Sequence, residues 1–560
     1  MPRLDQLPEE LYQAILESID DDKERKSVAI ALIRSIPRSP VPRRFLYYQV
    51  NLSTSENVLT FYHHLRSCGG VASKEASWVH SLHSESWTVE AQILANVLEL
   101  VPNLGHLSIH VGATFAPEHV DDIFQRPRPA LRTLNIVFKP YVQEATYYQF
   151  LRGAYFDSLL THIASWPAES QLCSLSIIQT MPPQIDAPQR FAQPIVFHSL
   201  TTLSTLVHAP SLRTLQILTI RVPGRVITPL LCISAPTSFI SRFTIRPRTL
   251  DLSTTSITLP ALSQLLSHYH MLEHLIIDDT GLIPLSVSTP GLANGAQGEW
   301  FVELGRTCAL AGMKGARERE KILKEAADTR REMIISSDGT KPAVSETHAR
   351  NNLDSDSTTS SSVTTSTAVP VEKMAKKGRR GVSTAPFSIR EKKIKSATTA
   401  SKLNILSNPT TQQGAERAIV RLQKARILPA IPALRSLCLT LHRGATFNLH
   451  QQHLWQEEFS RGWKEGCHVV FGARKRLYTS LKNGLVYLYH AVHPDDHDDE
   501  PREQSIHEVD MPELDGLQAV TSQGLEGESD GLNESIVPIL CFGAMKGSEH
   551  SEGCGHSAVN

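Results

Sequence analysis

The sequence predicts an α/β protein in which a helical N-terminal module precedes a solenoid of repeated strand–helix units. Three observations support this: apolar residues at helical spacing near the N-terminus, a leucine motif that recurs through the middle of the chain, and a Ser/Thr-rich run that interrupts the second half. We therefore divide the chain into six segments. These are a helical module at 1–66, a repeat region at 67–292, a helix at 293–335, a disordered insert at 336–410, a helix with the last repeat and a C-terminal cap at 411–492, and an acidic, mostly disordered tail at 493–560.

The overall charge and the apolar pattern argue against several classes of protein. The 560 residues include 56 Lys and Arg against 57 Asp and Glu, so a net charge of -1 gives no general attraction for nucleic acid. No apolar run approaches the roughly 18 residues that a membrane-spanning helix needs. Eight cysteines without a Cys-x-x-Cys pair are typical of reduced thiols. We expect a cytoplasmic or nuclear protein with no nucleic-acid or membrane partner.

Apolar residues near the N-terminus follow the period of a helix. Pro8 suits the first turn of a helix, where its missing N–H costs nothing. Leu11, Ile15 and Ile19 follow at i, i+4 and i+8, which predicts one apolar face, and a second helix is predicted to follow it. This face either binds a partner or packs against the repeats of the same chain. The residues that we predict to bind a partner are Leu7, Pro8, Leu11, Ile15, Leu16, Ile19, Val28 and Leu32.

This segment resembles the F-box, a small helical module, and in particular the F-box-like modules of fungal proteins. The resemblance rests on the opening Leu7-Pro8-Glu9-Glu10-Leu11, on Ile15-Leu16 in the first helix, on Val28 to Ile36 in the second, and on the later stretch from Ile36 to Leu46. It implies a substrate receptor of a Skp-cullin-F-box ubiquitin ligase, whose helices bind the Skp-type adaptor and whose repeats bind an unidentified target protein. Such a receptor is not an enzyme. The alternative is a leucine-rich scaffold or interaction protein with no role in ubiquitin transfer.

A Leu-x-x-Leu-x-Ile/Leu motif recurs through the middle of the chain. Its copies begin at Leu104, Leu131, Leu172, Leu212, Leu272 and Leu434, with a partial copy at Leu250. The last two apolar residues alternate, as in a strand with one buried face, and several copies adjoin helical stretches. Repeated strand–helix units bury their apolar faces by stacking, which predicts an irregular leucine-rich-repeat solenoid. The first three intervals, 27, 41 and 40 residues, are irregular, so leucine-rich strands that recur by chance in an ordinary α/β domain are the alternative.

The polar insert and the C-terminal tail carry opposite charges. From Ser355 to Thr367, 11 of 13 residues are Ser or Thr, a composition that cannot offset the entropy cost of ordering the backbone. Asp495 to Asp515 contains ten acidic residues and one basic residue. Two basic clusters in the insert are typical either of a nuclear-import signal or of a solvated charge run. The candidate import residues are Lys376, Lys377, Arg379, Arg380, Lys392, Lys393 and Lys395.

Two helices with aromatic stripes are predicted on either side of the insert. Trp300, Phe301 and Leu304 share one face of the first, and Trp455, Phe459 and Trp463 recur at i, i+4 and i+8 on the second. Such stripes belong to a core more often than to a partner groove. We expect these helices, with a strand after Asn483-Gly484, to cover the exposed end of the solenoid.

Motifs for catalysis are absent from the sequence. It contains no phosphate-binding loop, no Gly-x-Ser-x-Gly motif and no His-Glu-x-x-His helix. Near the C-terminus Cys541, His550, Cys554 and His556 include zinc ligand types, but their spacing matches no common zinc finger. We interpret them as residues of the tail, and predict no catalytic residues, no metal site and no cofactor.

Overall fold

A long parallel β-sheet organises the protein in the computed structural model. The structure describes residues 7–37, 40–139, 156–181, 196–233, 245–284, 294–337, 416–417, 419–440, 449–491, 517–520, 536–542 and 554–556. Within these residues the sheet has ten strands, each parallel to its neighbours. The chain is thus a mixed α/β protein, as the sequence predicts at that level.

The order of the strands in the sheet follows their order in the chain. The ten strands are β1 Gln49–Asn51, β2 Ser81–Ser84, β3 His106–Val111, β4 Thr133–Phe138, β5 Ser174–Gln179, β6 Ile217–Arg221, β7 Thr249–Asp251, β8 His274–Ile277, β10 Ser436–Leu439 and β13 Ile539–Phe542. A smaller described sheet contains β9 Ala425–Ile427, β11 Tyr487–Ala491 and β12 Leu517–Ala519. Every chain connection between adjacent strands of the large sheet must cross over, because all the pairs are parallel.

One row of apolar side chains crosses the whole large sheet in register, and we call it the inward row. It consists of Val50, Leu82, Leu107, Leu134, Leu175, Leu218, Leu250, Leu275, Leu437 and Leu540. All ten are buried, and all belong to one continuous core. The second leucine of the sequence motif supplies this row at β3, β4, β5, β8 and β10, because alternate residues of a strand point to the same face.

The fourth copy of the motif was predicted three residues too early. The structure pairs Leu175 with Leu218 and Ile177 with Ile220, so the strand copy begins at Leu215 and not at Leu212. Leu212 ends a short 3-10 helix, Pro210–Leu212. Leucines at 212, 215 and 218 satisfy the pattern in two registers, and only pairing with β5 distinguishes them.

Helices cover the face of the sheet that carries the inward row. They are α4 Ser55–Ser67, α5 Lys74–Ser77, α6 Ala91–Leu100, α7 Pro117–Phe124, α8 Asp157–Ser165, α9 Leu203–Leu206, α10 Thr228–Leu231 and α11 Leu259–His268. Most of these helices lie beside the next one along the chain. Their apolar residues join the core beneath the sheet, and Leu94, Ile123, Ile163 and Leu262 are examples.

Two long helices, α12 Asn294–Ser337 and α13 Leu449–Lys482, complete this layer near β10 and β13. Phe301, Trp455, Phe459 and Trp463 are all buried in the main core, which confirms the prediction that the aromatic stripes are core. The C-terminal half of α12 forms a second, smaller core with β9 and β11. This core contains Leu323, Ala327, Ile427 and Tyr489. The strand predicted after Asn483-Gly484 is β11.

The N-terminal helices have a core of their own. They are α1 Glu9–Glu17, α2 Asp22–Ser35 and α3 Arg44–Tyr47, and they enclose Tyr12, Leu16, Ala29 and Val41. Strand β1 and helix α4 fall within the predicted helical module, 1–66, but they contribute Val50, Val58 and Leu65 to the core of the large sheet. The small core therefore involves residues from 7 to 46.

Chain contacts divide the protein into two units, Met1–Thr329 with Ala418–Asn560, and Arg330–Arg417. Of the second unit the structure describes the end of α12 and residues 416–417. The insert that we predict to be disordered, 336–410, lies almost entirely outside the described residues. The tail, 493–560, contributes β12, β13 and residues 554–556 to the first unit. Over the described residues, no helix has both the length and the apolar character needed to cross a membrane.

Candidate functional site

The first helix presents apolar side chains in two directions. Tyr12 and Leu16 lie one turn apart and are fully buried in the small core against α2. Leu11 and Ile15, also one turn apart, remain 48% and 43% exposed. One stripe of the helix, Tyr12 with Leu16, therefore packs in the small core, and a second apolar stripe, Leu11 with Ile15, remains at the surface.

Side chains of α2 hold α1 in place. The guanidinium of Arg25 donates hydrogen bonds to the carbonyl oxygens of Leu16 and Ile19, each 3.0 Å from Nε. Leu16 lies in the last turn of α1 and Ile19 just beyond its end, so Arg25 supplies donors where no further helical turn can provide them. Lys26 Nζ donates to the carbonyl oxygen of Gln49 at 2.7 Å, and burial lowers the pKa of this lysine. The exposed stripe is therefore carried by a helix whose position is fixed.

The predicted partner-binding residues divide between surface and core. Pro8, Leu11 and Ile15 are exposed, whereas Leu16 is completely buried. The half-buried residues, which pack against the small core, are Leu7, Ile19, Val28 and Leu32. The periodicity i, i+4, i+8 placed Leu11, Ile15 and Ile19 on one face of α1. It could not show which face of α1 would be buried against α2. The candidate import residues, from Lys376 to Lys395, lie outside the described residues, and their role stays a prediction.

The face of the large sheet opposite the helices carries a second row, which we call the outward row. It consists of Asn51, His83, Ser108, Asn135, Ser176, Thr219, Asp251, Ile276, Cys438 and Cys541. From β2 to β5 its side chains are polar and partly exposed. Asn135 Nδ2 donates to Ser108 Oγ at 3.0 Å. This half of the row offers hydrogen-bonding groups on a surface fixed by backbone pairing.

From β6 onward the outward row is buried. The carboxylate of Asp251 is completely buried and accepts hydrogen bonds from Arg221 Nε at 2.9 Å and from Ser253 Oγ at 2.7 Å. A buried charge of this kind is tolerated because it is paired and its oxygens have donors. These contacts account for Asp251 as a structural residue.

Three cysteines and a histidine meet at the end of the outward row. Cys438 and Cys541 are paired residues of the adjacent strands β10 and β13, and Cys554 packs over them in a buried cluster that includes Ile276. The Sγ atoms of Cys438 and Cys541 and a ring nitrogen of His556 lie within 4.8 Å of one another. Cys554 Sγ lies 3.8 Å from Nδ1 of His556. Among the described residues this is the group of metal-ligand types that could hold an ion.

The imidazole of His556 is oriented by a carboxylate. Its Nε2 lies 2.6 Å from Asp278 Oδ2, and Thr440 donates its hydroxyl to the other oxygen of that carboxylate at 2.7 Å. With Nε2 engaged by Asp278, Nδ1 faces the thiols. We call Cys438, Cys541, Cys554 and His556 the thiol–imidazole cluster.

The cluster changes the acidity of its members. Hydrogen bonds with Asp278 and Cys541 raise the pKa of His556 to about 10. A hydrogen bond with Cys541 and burial raise the pKa of the Cys438 thiol, and the backbone N–H of Gly555 opposes this by donating to its sulfur. The carboxylate of Asp278 thus stabilises positive charge on the imidazole.

Sequence reasoning missed Cys438, the member that completes the cluster. It lies in a motif copy far from the tail, and a search for ligands by spacing joins only neighbouring residues. The dipeptide Leu-Cys at 437–438 and again at 540–541 was the available signal. It would have required knowing that these two segments pair as adjacent strands.

Comparisons with known proteins supply no family for this chain. No protein-family model matches the sequence, and a search of the curated proteins finds no match either. The N-terminal helices and the sheet are therefore the features from which a function can be inferred.

Proposed function

We propose that the protein is a non-catalytic adaptor of a Skp-cullin-F-box ubiquitin ligase. In this proposal the N-terminal helices are an F-box-like module that binds the Skp-type adaptor. The parallel sheet with its helices is an irregular leucine-rich-repeat solenoid that binds the target protein. The observation that carries the proposal is the exposed apolar stripe of Leu11 and Ile15 on a helix already fixed by its own core.

The energetics of this stripe support a protein partner. Full burial of a leucine or isoleucine side chain contributes about 1.5–3 kcal/mol relative to full exposure, and these two side chains still have nearly half of that burial to gain. Leu11 and Ile15 are absent from the small core, so a change in either should affect binding more than folding. Half-buried neighbours such as Leu7 extend the apolar surface.

The arrangement of the sheet supports the solenoid assignment. Strands β1 to β8 lie side by side in chain order, and the same apolar position repeats along the inward row. Stacked repeats give this order because each unit contacts its neighbours. The polar half of the outward row, from His83 to Ser176, is then the surface that we propose for the target.

A pull-down with a purified Skp-type adaptor subunit tests the N-terminal half of the proposal. The wild-type full chain should retain the adaptor, and Leu11→Glu should reduce the affinity roughly tenfold or more, because a carboxylate would be desolvated in the interface. Leu59→Glu is the matched control: Leu59 is 40% exposed on α4, outside the proposed surface.

Two results would contradict the proposal. Failure of the wild-type chain to retain the adaptor would remove the ubiquitin role. If Leu11→Glu and Leu59→Glu both retain the adaptor as well as the wild type does, the adaptor binds at another surface. Far-UV circular dichroism of both variants checks that the fold is unchanged.

The burial of Leu16 and the partial burial of Ile19, Val28 and Leu32 favour a second candidate. In it the helices only complete the scaffold, and the protein is a leucine-rich interaction protein without a ligase role. Under this second candidate the wild-type chain would not retain the Skp-type adaptor.

A further inference from the structure

The thiol–imidazole cluster has the composition and the shape of a metal site. Thiolate sulfur and imidazole nitrogen are the ligands that zinc prefers in structural sites, which are four-coordinate and closed. Cys438 and Cys541 come from paired strands, while Cys554 and His556 come from a separate segment that packs over them. Four potential ligands thus converge from three parts of the chain.

We propose that Cys438, Cys541, Cys554 and His556 bind one zinc ion, with Nδ1 of His556 as the imidazole ligand. The ion joins residues 554–556 to the last two strands of the large sheet. This proposal does not depend on the adaptor function, because its residues lie outside the N-terminal module.

The distances agree with a tetrahedral centre. Zn–S bonds of about 2.3 Å and Zn–N bonds of about 2.0–2.1 Å place neighbouring ligand atoms roughly 3.6–3.8 Å apart. Cys554 Sγ and His556 Nδ1 are 3.8 Å apart, and the ligand atoms of Cys438, Cys541 and His556 lie within 4.8 Å of one another. A contraction of about 1 Å or less would bring the ligand atoms of Cys438, Cys541 and His556 to these distances, and a closer approach of Cys554 to the two strand cysteines would add the fourth ligand.

The contacts of His556 are those of a zinc-binding histidine. Histidines that bind metals almost always donate their other ring N–H to a carboxylate, a carbonyl or water, which fixes the ring and strengthens the ligand. Asp278 occupies that position at 2.6 Å from Nε2, and Thr440 holds Asp278. This pair leaves Nδ1 directed at the thiols.

Gly555 fits the same interpretation. A Cβ atom added at this residue would lie 3.2 Å from His274 Cβ, Ile276 Cγ1 and Ser436 Oγ, so the backbone between Cys554 and His556 lies close against β8 and β10. Its N–H donates to Cys438 Sγ, and this hydrogen bond favours a thiolate at that sulfur. The tight Cys-x-His spacing is therefore accommodated by a glycine pressed against the sheet.

The alternative is that three buried thiols pack as small apolar side chains, with no metal. Metal analysis separates the two. The full-length protein, purified and then dialysed against buffer with micromolar zinc chloride, should hold about one zinc per chain, and Cys541→Ser and His556→Ala should each reduce this to near zero. Cys68→Ser, at an exposed cysteine outside the cluster, should keep the full zinc content.

A measurement on the wild-type chain covers the possibility that the variants fail to fold. Addition of cobalt(II) to metal-free protein should give the intense visible absorption of a tetrahedral cobalt–thiolate centre, and zinc should displace it. Wild-type protein that binds no zinc and gives no such absorption would overturn the proposal. A zinc content that His556→Ala and Cys541→Ser leave unchanged would overturn it as well.

Discussion

At the scale of single residues, two histidines at the end of α11 are surrounded by positive charge. Burial is the main cause that lowers the pKa of His268 to about 4, with Arg319 and His208 adding to it. Burial and then Arg319 and Arg246 lower the pKa of His270 to about 3. Both side chains are therefore neutral in the folded protein at pH values where an unfolded histidine is protonated.

This difference predicts an acid-sensitive fold. Below the ordinary histidine pKa of about 6.5 the unfolded chain binds protons that the folded chain does not, so stability falls as the pH drops from about 6.5 towards 4 and is fully present above 6.5. The melting temperature of the wild-type protein should decrease over this range. His268→Gln combined with His270→Gln should make the decrease shallower.

The double variant needs a control for histidine content, and His63→Gln serves because His63 is exposed on α4. The measurement is a series of thermal melts between pH 4 and pH 8 for the three proteins. Identical slopes in the wild type and the double variant would contradict the prediction.

Residue identity alone predicted part of the candidate site. The apolar character of Leu11 and Ile15 and their spacing identified them as surface candidates, and their exposure agrees with that interpretation. Leu16 was assigned to the same surface but is buried, because Tyr12 and Leu16 together face α2. The direction in which a helix faces depends on its neighbour, and a helical period does not specify that neighbour.

At the scale of elements, α12 and α13 approach each other through glycines. A Cβ atom added to Gly462 would collide with the carbonyl oxygen of Val302, and one added to Gly305 would collide with that of Phe459. The two helices can therefore pack backbone against backbone, with Phe301 and Trp455 stacked at a ring-centroid distance of 5.2 Å.

We predict that Gly462→Ala destabilises the protein by about 1–3 kcal/mol, because the helices must separate to admit a methyl group. Gly472→Ala is a matched control on the same helix, where an added Cβ meets nothing within 4 Å. There the change should be neutral or stabilise by about 0.5–1 kcal/mol, since alanine favours a helix interior. Chemical denaturation followed by circular dichroism measures both. Equal effects of the two substitutions would argue against close packing at Gly462.

Sequence periodicity predicted these two helices and the core role of their aromatic stripes. It did not predict their close approach, because a glycine inside a helical pattern has no side chain to contribute to an apolar period. Gly462 is needed because Val302 of the other helix lies close to it, and this contact exists only in the tertiary structure.

At the scale of the whole molecule, one edge of the large sheet comes from the C-terminal tail. Strand β13 pairs with β10 along four residues, buries Leu540 in the main core, and places Phe542 against Phe301 and Trp455. Without β13, the backbone groups along one side of β10 would lose their partners and become an open edge.

Deletion of residues 536–560 should therefore lower the melting temperature and cause concentration-dependent association. A chain that ends after His556 is the control, since it keeps both β13 and the thiol–imidazole cluster. Thermal melts and size-exclusion chromatography with light scattering at two concentrations give the comparison. If the chain that lacks 536–560 stays monomeric and has the same melting temperature as the control, this edge strand is not essential.

Several strands of the large sheet could be predicted from the sequence, but its last strand could not. The leucine motif located β3, β4, β5, β8 and β10, because each has an alternating apolar pair after the first leucine. Residues 536–542 lie in a segment whose acidic composition predicted a mostly disordered tail, and the short apolar run within it had no repeat motif. Strand β13 is specified by the partner that it finds on β10.

The order of strands has a consequence for synthesis on the ribosome. Strands β1 to β8 can each pair with a neighbour that has just been made, so this part of the sheet can grow as the chain emerges. Strand β8 must wait for β10, whose paired residue Ser436 follows His274 by 162 residues. At about 5–20 residues per second, translation takes roughly 8–30 s to reach it. During that interval β8 is an unpaired edge strand of the nascent sheet. A chaperone that covers this edge would act at this stage.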